Sequence, residues 1–229
     1  MALEELLQQH SVWRGGAPAA SGKPVVPSGF ASLDAELPGG GWPSSALTEI
    51  LAAREGMGEL QVVLPALARL TAEGKRIAWL APPHIPYAPA LAAAGIRLEF
   101  LTVVRAPGRR DALWAAEQVL RAGTCHALLA WLSRVRYIDL RRLAVAAESS
   151  PGFTVLFRPP AAAGEASPAV LRLSLEGRDG HLEAKILKRR GVPLAPALTL
   201  SVRRPVHAVG GTSLSPVAVA GARARACAA

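Results

Sequence analysis

The sequence predicts an α/β fold in which a mainly parallel central sheet is flanked by helices and finished by C-terminal antiparallel strands. Three observations carry this expectation. Between about residues 28 and 158, short apolar runs alternate with segments of helical period, as parallel strands joined by crossover helices do. After residue 165 the pattern changes to two runs, 170–176 and 181–188, that meet across Asp179–Gly180, a hairpin signal. Hydrophobic residues make up 51% of the 229 and charged residues 19%, enough for a substantial core and too apolar for a wholly disordered chain.

Residues 3–9 can form a short amphipathic helix with Leu3, Leu6 and Leu7 on one face, and 14–28 are rich in Gly, Pro and Ser and read as a linker. The first strand is ALTEIL (46–51). It is followed by ELQVVLPALARLTAEG (59–74), with helical spacing at Val63, Leu67 and Leu70 and Gly74 as a stop. Pro65 suits that helix only if its regular part starts within a few residues. RIAWLA (76–81) is a second strand, YAPALAAAG (87–95) a short helix and LEFLTVV (98–104) a third strand. DALWAAEQVLRAG (111–123) reads as a helix with Asp111 as N-cap and a stripe of Leu113, Ala116 and Leu120. ALLAWL (127–132), a helix over 139–150, TVLFR (154–158) and LTLSVRR (198–204) complete the core. Residues 1–27 are therefore expected to be a helix and linker, 28–205 one domain, and 206–229, which lack any sustained period, a disordered tail. Trp42, Trp79, Trp114 and Trp131 fall in element patterns and are expected mostly in the core.

Charge is unevenly placed. Residues 1–183 hold 18 of the 26 Lys and Arg and all 17 acids, so the 8 cations of residues 184–229 supply nearly all of the formal +9. Such a segment is either a solvated basic edge or a contact for a nucleic acid or an acidic protein surface. The two cysteines, Cys125 and Cys227, are far apart, which speaks for a reducing compartment and against a disulfide scaffold or zinc site. MALEELLQQH has acids where a secretory signal has a basic region, and no apolar run reaches membrane-spanning length; a cytoplasmic location is expected.

SLDAELPGGGWPSSALTEI (32–50) resembles the entry segment of RecA-type ATPases, in which a Ser-Leu-Asp and a Gly-Gly pair precede a strand ending Glu-Ile ahead of the phosphate loop. The stretch from Gly95 to Leu132 has that family's strand–loop–helix–strand order, and ILKRRGVPLAPALTLSV (186–202) resembles its segment with a Lys-rich turn, Pro and final strand. SVWRGG (11–16), LPGGGWP (37–43), GMGELQ (56–61), LPALARL (64–70), WLAPPHIPYAPAL (79–91) and RRGVPLAP (189–196) resemble ImuA, the RecA-like and SulA-like accessory family of bacterial translesion DNA synthesis. The resemblance implies a RecA-like core with a degenerate phosphate loop.

A phosphate loop cradles phosphate with backbone N–H groups, reaches it with a Lys and holds the metal with a Ser or Thr. In AAREGMGELQ the triplet Gly58–Glu59–Leu60 stands where Gly–Lys–Ser/Thr is required, with Gly56 two residues earlier. A carboxylate about 4 Å from a phosphate charge costs on the order of 4 kcal/mol at an effective dielectric of about 20. The other stations of the family's chemistry carry no acid: Pro82 and Pro83 follow the second strand, Trp131 and Ser133 close the fourth, and Arg158-Pro159-Pro160 follow the fifth. The expectation is a protein without catalysis, cofactor or metal, in which Gly56 and Gly58 form a tight turn and Glu59 offsets the positive helix end. His84, beside prolines and without a second ligand at useful spacing, reads as structural.

Two surfaces remain as candidates. Lys185, Lys188, Arg189 and Arg190, with Arg203 and Arg204, lie on the antiparallel addition; in RecA filaments the corresponding Lys-rich segment reaches across the protomer interface, so resemblance makes this a partner or self-association surface. Arg134, Arg136, Arg141 and Arg142 could contact DNA phosphates, although their spacing also fits a solvated helix face. The family resemblance implies partnership with ImuB and RecA, and indirectly with a DnaE-type error-prone polymerase. The alternatives are a SulA-like cell-division inhibitor acting on FtsZ and a weak, atypical nucleotide-binding protein.

Overall fold

The computed structural model describes residues 24–53, 56–178, 181–189 and 196–202. The expected helix over 3–9, most of the linker, the Asp179–Gly180 turn, Arg190, Arg203, Arg204, Cys227 and the tail lie outside the described residues. A two-residue ladder opens the fold: β1 (Val25–Val26) pairs antiparallel with β2 (Trp42–Pro43) around the short helix α1 (Ala31–Glu36). The main elements follow in alternation: β3 (Ala46–Ala52), α2 (Leu64–Ala72), β4 (Ile77–Leu80), α3 (Ala88–Ala93), β5 (Leu101–Val104), α4 (Arg109–Ala122), β6 (Ala127–Trp131), α5 (Tyr137–Glu148) and β7 (Phe153–Arg158). Strands β8 (Leu171–Arg178), β9 (His181–Lys188) and β10 (Leu198–Leu200) end the described chain.

Eight strands make one sheet in the order β10-β9-β8-β3-β7-β6-β4-β5. The six from β8 to β5 are parallel to their neighbours, and β9 and β10 add antiparallel at one side. The mixed α/β architecture, with a mainly parallel sheet and an antiparallel finish, is thus as the alternation of periods predicts. Helices cover both faces, which is why the central strands β3 and β7 are mostly apolar and buried without alternation: all six residues of β7 are buried. One core layer packs Ile50, Trp79, Val155 and Leu173 against Val63, Leu67 and Leu70 of the α2 region. The other packs Leu47, Leu80, Leu128 and Leu156 against Ala112, Ala116 and Leu120 of α4 and Leu140, Leu143 and Ala147 of α5.

Several boundaries differ from expectation for local reasons. The run 59–74 divides into a 3₁₀ turn (Glu59–Val62) and α2, because Pro65 has no N–H and is comfortable only in a first turn. Residues 98–100 also form a 3₁₀ turn, so the strand begins at Leu101. Helix α4 starts two residues before the expected N-cap: Gly108 holds the cap position with extended angles, and Asp111 lies in the first turn, where its charge complements the positive helix end. Gly123 closes α4 in the left-handed conformation, φ 63°. Trp42 and Trp79 are buried as expected and Trp131 is half-buried, but Trp114 is 64% exposed. The buried stripe of α4 runs through Ala112, Ala116 and Leu120, and Trp114 projects away from it.

Gly152, just ahead of β7, is required by close backbone approach. A Cβ there would sit 2.0 Å from the His126 carbonyl oxygen, so the two parallel strands β6 and β7 can start in register only if position 152 has no side chain.

Candidate functional site

In open α/β sheets, ligands bind beyond the carboxyl ends of the strands. Here a cleft of about 470 Å³ lies at the ends of β3, β4, β6 and β7, lined by Ala52, Glu59, Pro83, Trp131, Ser133 and Arg158 among others. The chain leaves β3 with Ala53 N–H still bonded to the Leu175 carbonyl, 3.2 Å away. It then turns through Gly56 (φ 75°) and Gly58 (φ 107°), both in the left-handed region that glycine adopts without strain.

Glu59 follows at once and folds back over the turn. Its Oε1 accepts a hydrogen bond from Gly56 N–H at 3.1 Å and its Oε2 accepts one from Gly58 N–H at 3.2 Å. The side chain is buried, 7% exposed. Two backbone donors of the turn are therefore held by a carboxylate of the same chain. An arriving anion would have to displace that carboxylate while meeting its charge.

The rest of the cleft is apolar at its base. Trp131 stacks on Phe157 with ring centroids 4.9 Å apart, and Trp79 meets Trp131 at 5.7 Å. Trp131 therefore fills the end of β6 with an aromatic surface. Among the described residues, no cluster of three His, Cys, Asp or Glu side chains is placed to hold a metal ion.

Beneath the cleft lies an ion cluster that sequence reasoning missed. Glu49, fully buried in β3, accepts from Arg158 Nη1 at 3.2 Å and from Arg172 Nε at 2.7 Å. Arg158 Nη2 also reaches Glu165 Oε2 at 2.7 Å, and Arg172 donates to the carbonyls of Ala162, Ala163 and Glu165. These bonds fasten the 3₁₀ turn Pro160–Gly164 over the sheet. The sequence signal was a single acid inside the apolar run ALTEIL, since a buried carboxylate requires a cationic partner.

The candidate partner surface on β9 is only partly assembled. Leu182, Ala184 and Ile186 face the core, and Lys185 is exposed on the alternate side. Lys188 Nζ donates to the Ser167 carbonyl at 2.8 Å. Arg189 donates from Nη1 to the Glu36 carbonyl and to Glu36 Oε2 at 2.7 Å, tying the end of β9 to α1 with its side chain nearly buried. Lys188 and Arg189 thus serve contacts within the chain.

Arg134, Arg136, Arg141 and Arg142 are exposed on α5 and the loop before it. Arg136 is fixed to Asp139 at 3.0 Å, and Arg142 crosses to Glu117 of α4 at 2.6 Å, whose other oxygen takes Arg121 at 2.7 Å. The hydrogen bond from Arg136, followed by the charges of Arg136, Arg109 and Arg142, holds the Asp139 carboxyl below its ordinary range against the opposing effect of burial. Burial raises the Cys125 thiol above its usual value and lowers His126. No helix among the described residues is long and apolar enough to cross a membrane.

No family model matches the chain. Over 101 residues, 44% of its length, the chain is 30% identical to the cell division inhibitor SulA of Edwardsiella piscicida. It is distantly similar to SulA. The match takes in 60% of that relative, so the chain spans about three-fifths of the curated protein it matches. A crystal structure of SulA from Pseudomonas aeruginosa is 22% identical, with a TM-score of 0.43, covering 51% of this chain and 99% of that one.

Proposed function

We propose that this chain is a non-catalytic binding protein of the SOS response that acts, as a SulA-like inhibitor of cell division, on FtsZ. The observation that carries the non-catalytic part is the Glu59 carboxylate seated on Gly56 and Gly58 N–H. A loop two of whose backbone donors already hold a carboxylate, above an aromatic floor, is suited to scaffolding rather than to phosphoryl transfer. The sequence similarity to SulA supports the pathway. On this reading the RecA-like arrangement of the sheet persists with a degenerate phosphate loop.

The test is FtsZ assembly followed by light scattering with GTP. Stoichiometric addition of this protein is expected to lower the plateau, and Mg–ATP up to millimolar concentration is expected neither to bind nor to alter the effect. Unchanged FtsZ assembly removes the cell-division reading, and magnesium-dependent ATP turnover removes the non-catalytic one.

A second reading rests on the resemblance of WLAPPHIPYAPAL (79–91) and RRGVPLAP (189–196) to ImuA. The chain then serves error-prone translesion synthesis in the manner of ImuA. It binds ImuB or RecA, modulates RecA filaments and is linked through ImuB to a DnaE-type polymerase. A pull-down with purified ImuB and RecA separates the two: retention of either with no effect on FtsZ selects this reading.

A further inference from the structure

On the other face of the sheet from α2, α4 and α5 pack side by side. Between them runs a groove of about 470 Å³ whose lining includes Arg109, Arg110, Trp114, Arg136 and Arg142. Four arginines line it against two acids, Glu117 and Asp139, and both acids are spent. Glu117 uses one oxygen for Arg121 and the other for Arg142, while Asp139 uses both for Arg136. The groove therefore presents net positive charge that its own acids do not balance.

Its apolar content is also misplaced for a solvated face. Trp114, which lines it, is 64% exposed, and Ile138 (56%) and Val145 (59%) are exposed on α5 outside the lining. Ile138, Arg142 and Val145 follow at i, i+4 and i+7 on α5, and Arg110 and Trp114 at i, i+4 on α4, so apolar and basic side chains share each exposed helix face. Arg109 and Arg110 occupy the first turn of α4, where cations oppose the helix dipole and cost the helix some stability. Asp111 in the same turn and Asp139 of α5, whose carboxyl feels the Arg109 charge, offset only part of that cost.

We infer that the groove between α4 and α5 docks an acidic segment of a partner protein, with an aromatic or leucine side chain of that segment seated against Trp114 and carboxylates held by Arg109 and Arg110. Charge selects the occupant. The chain's own residues 203–229 carry four arginines and no acid, so the groove repels them. Leu113 and Leu143, which line the groove with Trp114, match a peptide side chain and offer nothing to a phosphate backbone. This surface is separate from the loop beyond β3, and its test does not depend on the pathway proposed above.

The experiment selects random peptides of about 12 residues displayed on phage against the full chain, with Trp114→Ala and the double variant Arg109→Glu/Arg110→Glu as counter-baits. Far-UV circular dichroism establishes that both variants fold. Peptides enriched by the parent alone are expected to carry two or more Asp or Glu around a Trp, Phe or Leu. A fluorescein-labelled consensus peptide is expected to lose about tenfold in affinity with each variant and to weaken with salt. Absence of enrichment, enrichment of peptides without acids, or equal affinity for parent and both variants overturns the inference. So does displacement of the peptide by a short oligothymidylate that the same variants fail to bind, which would assign the groove to single-stranded nucleic acid.

Discussion

The turn beyond β3 and the groove between α4 and α5 both bring positive potential to a concave surface, yet they handle it in opposite ways. At the turn, the chain supplies its own anion: Glu59 accepts from Gly56 and Gly58 N–H, and Arg158 pairs with Glu49 and Glu165. In the groove, the acids are saturated while arginines and a tryptophan remain at the surface. A place where ligand affinity would be expected from fold geometry is internally neutralised, and a place that fold geometry does not single out is left with surplus charge. Concavity and fold position therefore say less about where this protein meets others than the local balance of charges does.

Breaking the neutralised side should have the largest effect. Glu49→Ala leaves buried Arg172 without a carboxylate and buried Arg158 with Glu165 alone, and is expected to cost about 3–5 kcal/mol in urea unfolding. A loss below about 1 kcal/mol would show that Arg158 and Arg172 find other partners. Next comes Glu59→Ala, which frees Gly56 and Gly58 N–H and should cost about 1–2 kcal/mol. In a thermal scan, inorganic phosphate is expected to raise the Tm of this variant and leave the parent unchanged; an equal shift for both would mean the turn is open to anions as it stands.

Smaller effects belong to the groove. The Asp139 pKa is depressed by Arg136, so the stabilisation from this pair is fully present above the ordinary carboxylate value of 3.8 and is lost as pH falls through the lowered folded value. The Tm advantage of the parent over Asp139→Asn should therefore hold at about pH 6 and fade below about pH 3.5. An advantage that persists below about pH 2 would point to shape rather than charge. Smallest of all, Trp114→Ala should change stability by no more than about 0.5 kcal/mol, because the ring is mostly in solvent. A larger loss would make Trp114 part of the core and weaken its assignment to a docking surface.

Much of the fold was legible because central strands of a parallel sheet must be apolar on both faces. ALTEIL, IAWL, ALLAW and FTVLFR announce themselves as compact runs, and β9 begins and ends where its alternation does. The β1–β2 ladder and α1 were not legible. Two-residue strands have no period, and α1 has only six residues, held by Ser28 N–H bonding to Asp34 Oδ1 at 2.8 Å and by Leu33 in the core.

At the candidate site, the position of Glu59 follows from its charge in a first helical turn, a strictly local effect. The Glu49 cluster does not, because its partners lie 109 and 123 positions away in the chain. The groove was hidden for a different reason. The period of α4 already sets Trp114 off the stripe of Leu113, Ala116 and Leu120, but the tendency of tryptophan to be buried outweighed it in the expectation.

The place of β3 in the sheet has a consequence for the nascent chain. Its two neighbours are β7 and β8, and the nearest pairing, Leu47 with Thr154, joins residues 107 positions apart. At about 5–20 residues per second, a ribosome holds β3 without either neighbour for roughly 5–20 s. Throughout that interval an almost wholly apolar strand is unpaired along both edges. The central strand that organises the finished sheet is, during synthesis, a sticky segment that a chaperone must shield or that the following helix must cover.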